Sequence, residues 1–122
     1  MEFTLLGNTG IRVPRLWFGT APLGGLYGKQ RDQSGTIARE LVHTAVRYGV
    51  RASDTSPYYG NAEEVLGKAL DGLVREDIIL CSKGGRISDT EFDFSIAGIE
   101  ASLQRSMDRL RVSYLDIYLL HD

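Results

Sequence analysis

Apolar positions along this chain alternate between two periods. Short continuous or every-other-residue runs are followed by longer stretches in which apolar residues fall three and four apart. Phe3-Thr-Leu-Leu6 and Ile11-Arg-Val13 flank Gly7-Asn-Thr-Gly10, which predicts a hairpin. Leu16-Trp-Phe-Gly-Thr20 reads as a short strand, followed by a glycine-rich loop from Ala21 to Gln33. Ser34 or Thr36 is placed to cap the next helix, whose predicted inward face is Ile37, Leu41, Val42 and Ala45, with Gly49 as its stop. Val50 to Asp54 predicts a second strand. Asn61 with Glu64 has the spacing of a capping box, opening a helix with Ala62, Val65, Leu66, Ala69 and Leu70 on one side. Asp77 to Lys83 predicts a third strand, broken by Gly84-Gly85. Asp93 or Ser95 then caps a helix carrying Ile96, Ile99, Leu103, Met107 and Leu110, and Tyr114 to Leu120 predicts a last strand ending at His121.

After the hairpin the order is β-α-β-α-β-α-β. Strands alternating with helices imply parallel pairing through right-handed crossovers. Two architectures accept that order: an open doubly wound sheet, or a (β/α)8 barrel of about 250 residues. The glycines of Ala21-Pro-Leu-Gly-Gly-Leu-Tyr-Gly28 lack G-x-G-x-x-G spacing and do not open directly into a helix, so the dinucleotide fingerprint of the first is missing. The barrel explains more, because its chemistry sits where strands meet their following loops. Here successive strand ends carry Asp54 (with Tyr59 five residues on), Lys83 and His121. The expected fold is therefore α/β, the N-terminal half of a (β/α)8 TIM barrel. Four parallel strands and three helices over residues 15–121 are preceded by a hairpin over residues 1–13, in one unit of 1–122.

Composition narrows the function classes. A net charge of −2 and the absence of any Lys/Arg-rich run argue against nucleic acid and anionic membranes as partners. The single cysteine, Cys81, sits in the apolar run Ile78-Ile-Leu-Cys81, as expected of a packed thiol in a reducing compartment. The start Met1-Glu2-Phe3-Thr4 lacks a basic leader and apolar core, and no stretch approaches about 20 apolar residues. A cytoplasmic protein is expected. No metal-ligand spacing stands out.

Taken singly, the titratable residues have ordinary readings. Asp54 before Thr-Ser-Pro suits a turn, Tyr59 beside Tyr58 suits packing, Lys83 suits a solvated strand end, and His43 suits an exposed helix position. Together, the motifs Asp54-Thr-Ser-Pro-Tyr-Tyr-Gly60, Glu64-x-x-Leu-Gly-x-Ala-Leu70, Ser82-Lys83 and Leu119-Leu-His-Asp122 resemble the aldo-keto reductases. So do Leu6-Gly-Asn-Thr-Gly-Ile-Arg-Val13 and Phe18-Gly-Thr-Ala-Pro-Leu-Gly24. Phe92-Asp-Phe-Ser95 and the Ser-Pro-Tyr-Tyr loop look nearest the members acting on L-galactose and related aldoses. The resemblance implies an oxidoreductase moving a hydride between NADP or NAD and a sugar or other small carbonyl or alcohol. It implies Tyr59 as acid/base, Lys83 as the cation that favours its phenolate, Asp54 as the partner of Lys83, and His121 as donor to the substrate oxygen. It further implies Gly19, Thr20, Ala21 and Asp54 along the cofactor.

Two departures from the family pattern carry expectations. Arg51-Ala-Ser53 stands where bulkier apolar residues are usual, and Trp17 is larger than expected in the first strand. The family's later strands, which clamp the nicotinamide and the cofactor phosphates, lie outside these 122 residues. A half barrel is expected to leave its end strands and an inner face around Trp17, Phe18 and Ile117 open, favouring self-association or a complementary half-barrel chain. The competing expectation is a catalytically silent structural or partner-binding module.

Overall fold

The computed structural model describes residues 1–26 and 35–122. The glycine-rich loop beyond Leu26 and the candidate cap Ser34 lie outside the described residues. Strands β1 (Phe3–Leu5) and β2 (Arg12–Pro14) pair antiparallel as the predicted hairpin. Its turn is closed by the Thr9 hydroxyl, which donates to the Leu6 carbonyl at 2.6 Å.

Four strands follow in one parallel sheet of order β3-β4-β5-β6. They are β3 (Phe18–Gly19), β4 (Ala52–Asp54), β5 (Ile79–Gly84) and β6 (Ile117–Leu120), joined by α1 (Thr36–Arg47), α2 (Ala62–Ala69) and α3 (Ile96–Leu110). This is the predicted half-barrel order, with each strand shorter than the span predicted for it. Register assigns the faces. Phe18, Ser53 and Leu80 lie side by side in one row, and Gly19, Asp54, Cys81 and Ile117 in the next. The first row faces the helices, where Leu80 joins Ala38, Val42, Val65, Leu66, Ala69, Ile78 and Leu110 in the core. Phe18 packs against that cluster and not on the inner face predicted for it. The small residues of β4 are buried, and the Trp17 indole N–H donates to the Pro14 carbonyl at 2.8 Å, tying it to the hairpin.

The helices show where periodicity alone misleads. In α1 the buried residues are Ala38 and Val42, whereas Ile37 and Leu41 are 52% and 48% exposed. Both rows have helical spacing, and the smaller residues are the ones that admit close packing on the sheet. Gly35, not Ser34 or Thr36, occupies the N-cap position, and α1 ends before Gly49 as predicted. At α2, Asn61 is the N-cap residue but makes no side-chain cap bond, and Glu64 pairs with Arg109 at 3.5 Å. Glu64 thereby reaches across to α3. At α3, Ser95 accepts from the Gly98 N–H at 3.0 Å, and Asp93 accepts from the Ser95 N–H, so both proposed caps act in series. Ile96 stands outside the packed face at 80% exposure.

Two polar clamps lock the layers. Glu63, buried on α2, accepts from the Ser82 hydroxyl at 2.7 Å and from Arg109 of α3 at 3.3 Å. At the opposite end of β5, Arg75 pairs with Asp116 at 2.7 Å and lies over the Tyr114 ring at 3.8 Å. Asp116 in turn accepts from the Leu80 N–H at 2.9 Å. This clamp holds the chain just before β6 against the start of β5.

Gly67 of α2 meets the end of α3 backbone to backbone. A Cβ there would stand 2.4 Å from the Arg109 carbonyl oxygen and 2.8 Å from the Leu110 Cα. Gly67→Ala gains about 1 kcal/mol of helix propensity, yet forces the two helices apart at an overpacking cost of about 1–3 kcal/mol. The expected net result is a lower denaturation midpoint, measured by circular dichroism in urea; an unchanged or raised midpoint would show that the contact has slack.

Candidate active site

The C-terminal edge of the sheet gathers the four residues singled out in the sequence. The ladder extends one residue past each strand. The Thr20 N–H donates to the Asp54 carbonyl at 3.0 Å, Thr55 N–H to Cys81 at 2.9 Å, and His121 N–H to Gly84 at 2.8 Å. These bonds fix the heights at which Asp54, Lys83 and His121 leave the sheet. All three belong to the inner face by alternation from the Asp54–Cys81–Ile117 row.

Lys83 is the centre. Its ammonium donates to Asp54 Oδ1 at 2.6 Å and to the Thr55 carbonyl at 3.0 Å, and it lies 4.9 Å from the centre of the Tyr59 ring. The side chain of Lys83 is only 11% exposed and that of Asp54 34%, so the cationic end of this pair is the one largely withdrawn from solvent. His121 stands edge-on to both tyrosines, 5.9 Å from each ring centre. Its Nδ1 is 3.0 Å from the hydroxyl oxygen of Ser56, which also accepts from the Tyr58 N–H at 3.1 Å.

Tyr59 owes its position to a glycine contact. A Cβ on Gly24 would lie 1.5 Å from the Tyr59 carbonyl oxygen, and one on Gly60 would lie 2.3 Å from the Gly24 carbonyl oxygen. Two backbones therefore touch where side chains are excluded. The turn after β3 presses directly on the loop that carries Tyr59.

Tyr58 is engaged elsewhere. Its hydroxyl donates to Asp89, which holds the phenol above its usual range. The Arg86 guanidinium covers its ring at 4.1 Å, pairs with Asp89 at 3.4 Å and donates to the Asp122 carbonyl at 3.0 Å. The loop after β5 is thereby pinned over the site's rim. Behind Arg86 lies a groove of about 500 Å³ lined by Asp93, Ser95, Ser102 and Arg105, among others, and it holds none of the four central residues.

Charge completes the picture. Burial, then the Lys83 and Arg86 cations, hold the His121 imidazole below its ordinary 6.5, against the opposing pull of Asp54 and Asp122. Burial pushes the Cys81 thiol up to about 11, which keeps it protonated and inert beneath the site, as expected from the sequence. Along the candidate cofactor edge, Gly19 lies beside Asp54 with open space where a Cβ would stand. Thr20 is buried, and its hydroxyl donates to the Asp54 carbonyl at 2.9 Å, which makes it a brace for Asp54. Ala21 opens the short 3₁₀ turn that follows. Sequence reasoning missed Ser56, Arg86 and Asp89. Ser56 lay inside the tyrosine motif, but nothing in the residue order tells that its hydroxyl meets a histidine 65 positions away.

A family model described as the aldo/keto reductase family matches residues 15–122. The chain belongs to that family. It is 39% identical to the L-galactose dehydrogenase of Arabidopsis thaliana over 100% of this chain and 38% of the relative. It is 39% identical to the D-arabinose 1-dehydrogenase of Saccharomyces cerevisiae over 82% of this chain and 32% of that one. A solved Pseudomonas aeruginosa chain described as an aldo-keto reductase superimposes with a TM-score of 0.84 at 34% identity, covering 98% of this chain and 45% of the other. The chain thus spans under two-fifths of the length of these two curated relatives. Four parallel strands and three helices are consistent with half of a (β/α)8 barrel. No helix among the described residues is long and apolar enough to cross a membrane.

The His121 shift makes a stability prediction. The folded ring binds its proton less readily than the unfolded ring, so the unfolded state takes up more protons between the two values. The associated stability is present above the unfolded value of 6.5 and is lost as pH falls through the lower folded value. Denaturation midpoints taken from about pH 7.5 down to about pH 5.5 should fall more steeply for the parent chain than for His121→Gln. Parallel curves would mean that the ring titrates normally.

Proposed function

We propose that these residues form the acid/base centre of an NAD(P)-dependent oxidoreductase acting on an aldose or another small carbonyl or alcohol. The observation that carries this reading is the placement of Lys83 between the Asp54 carboxylate at 2.6 Å and the Tyr59 ring at 4.9 Å, with His121 edge-on to the same ring at 5.9 Å. Reduction of a carbonyl requires a hydride on carbon and a proton on oxygen. A nicotinamide cofactor supplies or accepts the hydride when bound. The chain's own residues handle the proton.

Tyr59 is the group that gives the proton to the substrate oxygen, or removes it in the oxidative direction. The Lys83 ammonium stabilises negative charge on the phenol oxygen as the proton leaves. Asp54 holds Lys83 in place and balances its charge. His121, neutral by virtue of burial and its cationic neighbours, offers a hydrogen bond to the same substrate oxygen. For the reacting end of a nicotinamide, Gly19 leaves open backbone beside Asp54, Thr20 braces Asp54, and Ala21 follows in the next turn. An aldose as substrate is supported by the names of the relatives, an L-galactose and a D-arabinose dehydrogenase. The buried, protonated Cys81 suits a reducing, cytoplasmic setting.

A second reading is favoured by the sheet's ends. Strand β6 lies at one end of the sheet order, with Leu119 and Leu120 at 45% and 71% exposure. An open apolar edge recruits another strand. On this reading the chain pairs through β6 with a second copy or with a complementary half-barrel segment, whether or not it turns over substrate.

Two measurements check these readings. Nicotinamide absorbance with NAD or NADP and L-galactose or D-arabinose should report turnover, and Tyr59→Phe should lower it at least about 10²-fold; undiminished turnover in that variant removes Tyr59 from the mechanism. Light scattering on a size-exclusion column should return a mass above the 13.5 kDa of one chain. A folded species of that single mass would end the edge-pairing reading.

A further inference from the structure

The inference concerns how the imidazole of His121 is oriented, and in its functional consequence it rests on the oxidoreductase reading above. We propose that Ser56 is a positioning residue that fixes His121 as the Nε2–H tautomer, leaving the ring's one N–H free for a substrate oxygen. Ser56 is fully buried at the start of the loop after β4. Its hydroxyl has one hydrogen to give and two lone pairs to receive with. The Tyr58 N–H already occupies one lone pair at 3.1 Å. Among the described residues, the other partner recorded for the hydroxyl is His121 Nδ1, at 3.0 Å, a contact in which either atom could donate.

The opposite arrangement is worse. If Nδ1 carried the hydrogen, Ser56 Oγ would accept twice, and its own buried hydrogen would have no recorded partner. An unsatisfied buried donor is costly, so the network closes only with the hydroxyl donating to Nδ1. The surroundings keep the ring neutral, which is the condition for a tautomer to exist. Lys83 of β5 and Arg86 of the following loop oppose a charged ring, while Asp54 of β4 and Asp122 favour one. The remaining titratable neighbours are Tyr58 and Tyr59, whose rings stand nearly perpendicular to the imidazole at 5.9 Å between centres, with the Tyr58 hydroxyl bonded to Asp89. The edge-on packing restrains the plane of the imidazole, and Ser56 then selects which nitrogen is protonated.

Long-range proton–nitrogen correlation spectra of the full chain, labelled at histidine, read the tautomer without any assay of turnover. His43, whose Nε2 lies 3.1 Å from the Ala69 carbonyl oxygen, gives the other set of signals and is assigned by its loss in His43→Gln. His121 is expected to show an unprotonated Nδ1 and a protonated Nε2 as a single pattern; a protonated Nδ1 in the parent chain overturns the proposal. Ser56→Ala should lose that single pattern to a mixture of tautomers, and Ser56→Thr, which keeps the hydroxyl, should restore it. An alanine variant retaining the parent pattern overturns the role of Ser56. A slowly exchanging Ser56 hydroxyl proton correlated with Nδ1 is expected in the parent chain, so the role is tested even where the alanine variant does not fold; its absence counts against the bond. The tautomer and the turnover are separate readouts, so either reading can fail alone.

Discussion

A lysine ammonium that is almost withdrawn from water governs the mouth of this sheet. Taking such an ion out of solvent costs several kcal/mol unless oxygen atoms replace the water. Asp54 Oδ1 and the Thr55 carbonyl are those oxygens, and both come from the neighbouring strand. They reach Lys83 only in the observed register, in which Asp54 lies beside Cys81. A slip of one residue would turn Lys83 toward the helices and strand its charge in the core. The ion pair therefore selects the same register that the hydrophobic rows require. The Asp54 carbonyl accepts twice from Thr20, carrying the constraint on to β3.

The outer layer is organised by the next residue along. Ser82 points opposite to Lys83, and its hydroxyl meets the buried carboxylate of Glu63. Glu63 is also held by Arg109, so one acidic side chain joins α2, α3 and β5. Consecutive residues of one strand thus serve the reacting face and the scaffold behind it. The loop carrying Tyr59 leads directly into α2 and is pressed from the other side by Gly24. A side chain on a short loop held between Gly24 and the clamped first turn of α2 has little freedom to drift. That is the condition for precise placement of a proton donor.

Much of this was legible in the sequence, and the failures have physical causes. The alternation of strand and helix, the hairpin and the stop at Gly49 follow from local chemistry and were readable, and the third strand runs one residue past its predicted end at Lys83. The strand ends bearing Asp54, Lys83 and His121 were readable for the same reason, since a barrel places chemistry there. In α1 Val42 is buried as predicted, but Ile37 and Leu41 were misplaced because they share the helical period of Ala38 and Val42, and only packing distance separates the two rows. Phe18 was misassigned because a strand two residues long gives no alternation from which to read a face. The pairing of Glu64 with Arg109 is a tertiary contact that no local pattern announces. Ser56, Arg86 and Asp89 went unseen because their roles arise only from long-range meetings.

The adjacent tyrosines show how geometry divides labour that residue type cannot. Both are phenols, both lie 5.9 Å from His121, and the motif alone offers no chemical ground for preferring either. Tyr58 turns outward. Its hydroxyl is bonded to Asp89, its proton is held more tightly for that reason, and Arg86 covers its ring at 4.1 Å. A phenol committed to a carboxylate is a poor donor to anything else. Tyr59 lies on the side of Lys83, whose paired and poorly hydrated ammonium is the one fixed cation recorded at its ring among the described residues. Since a departing proton leaves negative charge behind, the phenol next to that cation is the one suited to release it. By occupying Tyr58, the Arg86–Asp89 pair also keeps a competing hydroxyl away from the oxygen that Tyr59 would serve in the proposed reaction.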